Sequence, residues 1–245
     1  MEYIDELALE SAESQVRGRE IDECRLSPRL RRLTFLSSDF FGAKGVYHTL
    51  IAERDPLSEA RLAAEVASGI SEAIRSLGGF GKRRVLAVGL GNPSAVVDAL
   101  GAETVERLSA GEKGRKYLAT IRPSVFGVTG LESAAVVRGV ASEYRPDLIL
   151  SVDTLSTRRA ERLARAVQIT DAGVVPGGGV GNRRKPISEE TLGIPVISIG
   201  VSLLAHADRC ASLPAGLVVT PKEIDLLVPW FADALSVGVE RALFE

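Results

Sequence analysis

The feature that constrains this sequence most is a short apolar run that ends in a glycine-rich turn. Residues 84–88 read Arg-Val-Leu-Ala-Val, and residues 89–93 read Gly-Leu-Gly-Asn-Pro. An apolar run closed by glycine and proline is typical of a buried strand that breaks into a tight turn. We expect Ser94 to cap the helix that follows, which places Asp98 in the first turns of that helix. In open α/β sheets, ligands and chemistry collect at the carboxyl end of such a strand.

A second carboxylate follows a similar apolar run. Residues 147–152 read Asp-Leu-Ile-Leu-Ser-Val and lead into Asp153, and the polar residues Thr154 and Ser156 come next. This pattern predicts that Asp153 lies at the end of another central strand. If the two strands are neighbours in the sheet, Asp98 and Asp153 face one cleft.

The order of predicted elements indicates an α/β fold. Strand-like apolar runs alternate with helical periodicity, which favours a mostly parallel central sheet covered by helices on both faces. No clear linker divides the chain, so we predict a single domain, residues 1–245, in which the highly charged residues 1–40 form an irregular amino-terminal arm. Further strands are predicted at residues 46–53, 117–121, 167–170, 194–201 and 217–219, and helices at residues 56–77, 131–143, 158–165 and from residue 220 onward.

Composition argues against several classes of function. A formal net charge of −2 gives no sign of a nucleic-acid-binding surface, and no stretch approaches the roughly 20 apolar residues of a membrane span. The acidic start lacks the basic region of a signal peptide, and two cysteines make no disulfide framework. We therefore expect a cytoplasmic protein. His48 and His206 are the only histidines, so a histidine-dependent mechanism or a zinc site with several imidazoles is disfavoured, and we predict no metal and no cofactor.

Two carboxylates at neighbouring strand ends suggest aspartic chemistry. At roughly 4 Å and an effective dielectric near 20, their repulsion is about 4 kcal/mol, or about three pKa units. One carboxyl group would then keep its proton while the other stays ionised, so that one acts as an acid and the other as a base in amide hydrolysis. Structural alternatives stay open, because Asp98 can stabilise a helix macrodipole and Asp153 can be an ordinary strand-end residue.

Five other residues are candidates for a supporting role. Asn92 either closes its turn, which we favour, or orients a substrate carbonyl, and Thr129 either starts a helix or supports the site. Asp171 is either a third cleft carboxylate or part of an Asx-turn. Asn182 and Lys185 lie in a long loop, residues 171–186, with five glycines, two prolines and three consecutive cations. Such a loop is long enough to be functional, and its cations either guide an acidic substrate segment or are simply solvated.

Several blocks of this sequence, in order, resemble the spore germination protease family of endospore-forming bacteria. Gly127-Val-Thr-Gly-Leu-Glu-Ser133 and Pro176-Gly-Gly-Gly-Val-Gly-Asn-Arg-Arg-Lys185 are two of them. The others are residues 88–101, 148–156, 168–173, 190–201 and 219–225, and residues 5–10 resemble the family's amino-terminal motif. So many separate blocks in one register make the resemblance highly specific.

This resemblance implies an endopeptidase that degrades the small acid-soluble proteins coating spore DNA. It also implies an atypical aspartic mechanism, with the two essential aspartates at Asp98 and Asp153, and a fold shared with hydrogenase-maturation endopeptidases. A homo-oligomer, tetrameric in the family, and a location in the spore core are further implications. The family carries a propeptide as a zymogen, whereas four residues precede the Asp5 motif here, so we expect little or no propeptide.

Three alternatives remain to be weighed. In a metal-binding maturation peptidase of the hydrogenase type, the carboxylates would hold nickel of a client enzyme, and such sites normally add a cleft histidine. Peptidyl-tRNA hydrolase shares Val-Gly-Leu-Gly-Asn-Pro but places it at the extreme amino terminus and adds a Thr-Arg-His-Asn segment that this sequence lacks. An inactive binding homologue is the third alternative, and the presence of both aspartates argues against it.

Overall fold

One mixed β-sheet organises the part of the chain that the computed structural model describes, namely residues 7–14, 21–37, 44–79, 81, 84–113, 116–178, 184–210 and 216–245. The strand order is β1-β2-β3-β8-β9-β7-β4-β6-β5, and β10 pairs with β9. The strands are β1 (Asp22–Ser27), β2 (Leu30–Ser37), β3 (Gly45–Ala52), β4 (Arg84–Gly89), β5 (Gly111–Lys113), β6 (Lys116–Ile121), β7 (Leu148–Thr157), β8 (Ala166–Thr170), β9 (Val196–His206) and β10 (Val218–Val219).

The centre of this sheet is parallel and its flanks are antiparallel. Strand β7 pairs in parallel with both β4 and β9, and β4 pairs in parallel with β6. The pairs β1–β2, β2–β3, β3–β8, β8–β9, β5–β6 and β9–β10 are antiparallel. The predicted α/β fold and its parallel core are therefore confirmed, and β4 and β7 are neighbours, as the cleft prediction requires.

Helices cover both faces of the sheet. The helices are α1 (Ala8–Ser14), α2 (Leu62–Ser76), α3 (Leu100–Arg107), α4 (Phe126–Thr129), α5 (Ser133–Tyr144), α6 (Glu189–Leu192), α7 (Ala207–Cys210) and α8 (Ile224–Phe244). Helices α2, α3 and α8 share the largest apolar cluster on one face, whereas α5 and α1 contribute to two smaller clusters. Among the described helices, none has the length and apolarity needed to cross a membrane.

The prediction of an irregular arm over residues 1–40 was wrong. Helix α1 and strands β1 and β2 lie in this region, and β2 pairs with β3 along its whole length. Charge concealed the strand pattern, because Arg31 and Arg32 form ion pairs with Glu53 and Glu72 while neighbouring apolar side chains are buried. The buried side chains of β2 are Leu30, Leu33 and Phe35.

The predicted helix at residues 158–165 was also wrong. Strand β7 continues to Thr157, and only a 3-10 turn, Ala160–Arg162, separates it from β8. Because β7 is longer than predicted, Asp153 lies inside the strand and not at its end. Because the neighbouring strand β4 ends opposite Val152, Asp153 still lies next to the carboxyl end of a strand, where a site can form.

Candidate active site

The site is built where β4 stops beside the longer strand β7. Gly89, the last residue of β4, lies opposite Val152, and the backbone N–H of Leu90 donates to the carbonyl of Val152 at 2.9 Å. Asp153 is therefore the first residue of β7 beyond the end of β4. Its side chain is 7% exposed. Asp153 therefore lies within β7 but directly beside the end of β4.

Two glycines allow the chain to close tightly around this junction. A Cβ atom at Gly101, in the first turn of α3, would overlap the carbonyl oxygens of both Leu90 and Val152. Gly91 has a φ of +92°, and a Cβ atom there would overlap the carbonyl oxygen of Asp98. Both positions therefore need glycine for close backbone approach, and Gly91 needs it for its conformation as well.

Asp98 lies on a short turn that precedes α3. The sequence predicted an α-helix capped by Ser94, but Val96–Asp98 is a 3-10 turn with Ala95 at its N-cap position, and α3 begins at Leu100. The N–H of Ser94 instead donates to Oδ1 of Asn92 at 3.0 Å, so the Asn92 side chain closes the turn, which is the role we favoured. Asparagine commonly stabilises a turn by accepting from an N–H two residues on.

The surroundings of Asp98 favour its protonated form. Burial raises the pKa of the Asp98 carboxyl group above its ordinary value, and the N–H of Asn92, which donates to Oδ2 at 2.7 Å, opposes that shift. The sequence argument expected a raised pKa from repulsion between two carboxylates, whereas burial is the largest cause here. Loss of solvation penalises the charged form of a carboxyl group.

Thr154 contacts both halves of the site. Its backbone N–H donates to Oδ1 of Asp153 at 2.8 Å, and its hydroxyl donates to the carbonyl of Val97, the residue before Asp98, also at 2.8 Å. The side chain of Thr154 is buried. One residue of β7 therefore holds the carboxyl group of Asp153 and the backbone of the turn that carries Asp98.

Asp98 and Asp153 line the same cleft, which has a volume of about 510 Å³. The turn at Gly91 and Asn92, the segment around α4 and the start of the loop after β8 complete its walls. The other described lining residues are Gly91, Asn92, Val97, Val125, Phe126, Gly127, Glu132, Ser133, Thr154, Pro176, Gly177, Arg184, Leu204 and Val218. The two aspartates predicted from distant parts of the sequence are thus brought to one cavity.

A charged wall lies on the α4 side of the cleft. The guanidinium of Arg184 stacks on the ring of Phe126 at 4.6 Å and pairs with Oε1 of Glu132 at 3.2 Å. Arg184 is the one cation among the described residues that line the cleft. A stacked guanidinium keeps donors free at its edge, so this wall can bind an acceptor group of a ligand.

The remaining predicted residues lie outside the described lining of the cleft. Thr129 ends α4 and bonds to the carbonyl of Val125, and Lys185 is exposed. Oδ1 of Asp171 accepts from the N–H of Val46 at 2.7 Å, which ties the segment after β8 to the start of β3. Asn182 lies outside the described residues. Sequence reasoning did not single out Thr154 and Phe126; the position of Thr154 directly after Asp153 was the available signal.

The two histidines have structural partners away from the cleft. His48 contacts the hydroxyl of Thr34 at 2.9 Å and that of Ser76 at 3.0 Å, and Nε2 of His206 contacts the hydroxyl of Ser156 at 3.2 Å. Across the described ranges, no group of three or more His, Cys, Asp or Glu side chains is arranged to hold a metal ion. The described cleft therefore offers carboxyl groups, a guanidinium and backbone groups for chemistry.

Fold and site together define an α/β protein with a pair of aspartates in a cleft at the end of its parallel strands, the arrangement of a candidate hydrolase. A model of the germination protease family matches residues 42–215. The chain belongs to the germination protease family.

Two germination proteases and one solved structure are similar to this chain. The chain is 33% identical over 246 residues to a germination protease of Caldanaerobacter subterraneus, covering 79% of this chain and 75% of that protein. It is 34% identical over 219 residues to one from Bacillus mycoides, covering 83% of this chain and 57% of that protein, so the match spans little more than half of that relative. Among solved structures, the hydrogenase maturation protease HycI of Thermococcus kodakarensis is similar with a TM-score of 0.41 and 19% identity, over 70% of this chain and 98% of that one.

Proposed function

We propose that this protein is an endopeptidase that hydrolyses small acid-soluble spore proteins during germination by an aspartic mechanism. The observation that carries the proposal is the placement in one cleft of Asp98, from the 3-10 turn after β4, and Asp153, from β7. Family membership supports a protease of spore germination, and the cleft supplies the two carboxyl groups that amide hydrolysis needs.

The environments of the two aspartates suggest different roles. Burial raises the pKa of the Asp98 carboxyl group above its ordinary value, so Asp98 is assigned as the general acid. Asp153 acts as the general base: its carboxylate takes a proton from water as the water oxygen bonds to the scissile carbonyl carbon. Asp98 then donates its proton to the amide nitrogen as the C–N bond breaks, which yields a carboxyl group and an amine. A pair of carboxyl groups in unlike environments is suited to this division.

The cleft walls suggest how a peptide is held. Apolar side chains at Phe126, Leu204 and Val218 can bury apolar parts of a substrate, and the edge donors of Arg184 can bind a carbonyl or carboxylate oxygen. We further propose that the protein acts in the spore core as a homo-oligomer, up to the tetramer that the family resemblance implies. Light scattering of the purified protein measures that oligomeric state directly.

The first prediction tests the two aspartates. We expect Asp98→Asn and Asp153→Asn each to lower kcat for cleavage of a small acid-soluble spore protein by at least about 100-fold, because each variant removes one partner in proton transfer. Fragments are identified by mass spectrometry, and circular dichroism checks the fold. Asp233→Asn is the matched control, since Asp233 is 70% exposed and pairs with Arg107 away from the cleft. Native activity in either cleft variant would contradict the aspartic mechanism.

Two outcomes would favour the alternatives. Loss of activity on treatment with a chelator, restored by a divalent metal, would favour a metal-dependent maturation-type peptidase. Binding of the spore protein without cleavage by the native chain would favour an inactive binding homologue. The same substrate and the same purified protein serve all three tests.

A further inference from the structure

Thr154 is the residue through which the two halves of the site are joined. Its N–H donates to Asp153, and its hydroxyl donates to Val97, each at 2.8 Å. The bond from the N–H holds the carboxyl group of Asp153 directly. The bond from the hydroxyl holds the backbone carbonyl of the residue before Asp98. Only the bond to Val97 is made by the Thr154 side chain, so a substitution at this position can remove it while the backbone bond to Asp153 is kept.

We propose that Thr154 is a positioning residue that sets the separation and orientation of Asp98 relative to Asp153. This inference rests on the proposed function of the two aspartates and adds a residue to it. Thr154 does not need to contact substrate for this role, because it acts through the turn that carries Asp98.

The local structure of the turn explains why such a bond is needed. The turn Val96–Asp98 is three residues long and has no side-chain cap at Ala95. Its own bonds, from Asp98 N–H to Ala95 and from Ala99 N–H to Val96, hold its shape but do not attach it to β7. The hydroxyl of Thr154 makes that attachment. A short 3-10 turn has poor internal hydrogen-bond geometry, so an external bond has a large share in fixing its position.

Burial makes the bond hard to replace. Thr154 is 6% exposed, and its hydroxyl donates its one proton to Val97. Without the hydroxyl, the Val97 carbonyl loses this partner in a poorly solvated position, which favours movement of the turn toward solvent. Displacement of a catalytic group by about 1 Å can lower the rate roughly 100-fold.

The test is the substitution Thr154→Val, which keeps the side-chain shape and the backbone N–H but removes the hydroxyl. We expect kcat for cleavage of a small acid-soluble spore protein to fall roughly 10- to 100-fold, with KM within about twofold of the parent, because substrate contacts are retained. The pH dependence of kcat should also shift, since Asp98 moves relative to its buried surroundings. Thr154→Ser, which keeps the hydroxyl, should retain most of the parent kcat.

Thr104→Val is the matched control. Thr104 is also buried, and its hydroxyl also donates to a backbone carbonyl, that of Leu100, at 2.8 Å within α3. If the role of Thr154 is only structural, the two valine variants should lose thermal stability and activity together. We expect instead that Thr104→Val keeps the parent kcat and pH profile while its unfolding midpoint falls by a similar amount.

Each result decides the question. A kcat loss confined to Thr154→Val and restored by Thr154→Ser supports the positioning role. Equal kcat in the two valine variants, or a loss expressed in KM alone, overturns it. If Thr154→Val does not fold, the pair Thr154→Ser and Thr154→Ala decides in the same way, because only the serine variant keeps the hydroxyl. Failure of the proposed function itself is separate, since it appears as native activity in Asp98→Asn or Asp153→Asn.

Discussion

At the scale of single residues, the main feature of the site is the partial burial of the Asp98 carboxyl group, whose ionised form is more stable in water. Asp98 lies beside the cleft with its carboxyl group partly desolvated, and the N–H of Asn92 compensates only in part. A raised pKa of a catalytic acid is useful for proton donation, but burial of its ionised form costs stability. Under the proposed mechanism, activity and stability therefore depend on Asp98 in opposite directions.

This conflict predicts a pH-dependent gain in stability for Asp98→Asn. The folded protein holds the Asp98 proton to a higher pH than the ordinary value of 3.8, so the native state binds more protons than the unfolded state in that interval. The free energy of unfolding of the parent therefore falls as the pH rises from the unfolded-state pKa of Asp98 to its folded-state pKa. Above the interval, Asp98→Asn should be more stable than the parent, and below it the difference should vanish. Urea denaturation at a series of pH values measures this, and a constant difference would contradict it.

A second residue-scale prediction concerns His48. Burial, followed by the nearby charge of Arg32, lowers the pKa of His48 below its ordinary 6.5, while Asp171 and Glu72 oppose that shift. The unfolded state therefore binds more protons as the pH falls below 6.5, and the parent loses stability there. His48→Gln should be less stable at pH 7 by about 1 to 2 kcal/mol, because a hydrogen bond is lost, but should lose less on further acidification. A parallel pH dependence in both proteins would contradict this.

At the scale of elements, helix α1 is attached to the end of β7 by a buried charged cluster. The carboxylate of Glu10 accepts from the hydroxyl of Thr157 and from the N–H of Arg158, and it lies 3.6 Å from the guanidinium of Arg162. Arg162 also pairs with Glu13. Both Glu10 and Arg162 are buried, so removal of one charge leaves the other poorly compensated.

Glu10→Gln should therefore destabilise the protein by about 1 to 3 kcal/mol, the cost typical of leaving a buried polar or charged group without its partner. Glu13→Gln is the control, because Glu13 is more exposed than Glu10 and because Arg162 still pairs with Glu10 when Glu13 is replaced. We expect the control to cost less than about 1 kcal/mol. Chemical denaturation of both variants gives the comparison, and equal losses would contradict the importance of the buried carboxylate.

Elements with a strong local signal were predictable from the sequence, and elements that depend on distant partners were not. Strand β4 ends in glycine and proline, so its end and the turn after it were visible without any partner. The end of β7 was not visible, because Thr154 and Ser156 are polar and yet buried: Thr154 bonds to Val97 and Ser156 contacts His206 of β9. Strand β2 was missed because its Arg31 and Arg32 are paired with Glu53 and Glu72, which lie far away in sequence.

The candidate site was predictable to a similar extent. Both aspartates were identified because each follows an apolar run in the sequence, and their convergence was conditional on the pairing of β4 with β7, which is confirmed. The 3-10 turn could not be predicted, because its position depends on the hydroxyl of Thr154, which belongs to another strand. Asp171 showed no local sign that its carboxylate serves the start of β3 and not the cleft.

At the scale of the whole molecule, helix α8 closes the largest apolar cluster although it lies outside the range matched by the family model. That range ends at residue 215, whereas α8 spans Ile224–Phe244 and packs against α2 and α3. Phe231 is its largest fully buried side chain. The apolar cluster on this face of β4 and β7 therefore includes residues of this helix.

Phe231→Ala should lower the free energy of unfolding by about 3 to 5 kcal/mol, the usual cost of truncating a buried aromatic side chain. Leu226→Ala lies on the same helix but at a position 56% exposed, and should change stability by less than about 0.5 kcal/mol. Thermal and urea unfolding of both variants tests this. A small loss for Phe231→Ala would show that α8 is not required for the core.

The supports of the two aspartates differ in stiffness. Asp153 belongs to a strand that is buried along all ten residues and pairs with β9 at this position, while Asp98 is carried by three residues of tight turn. Because the strand is buried along its length, we expect the turn to make most of any adjustment that binding of a polypeptide requires. Evolution of a faster or slower enzyme on this scaffold would then proceed by changes at residues 92–97, between Gly91 and Asp98, with the strand left as the fixed reference.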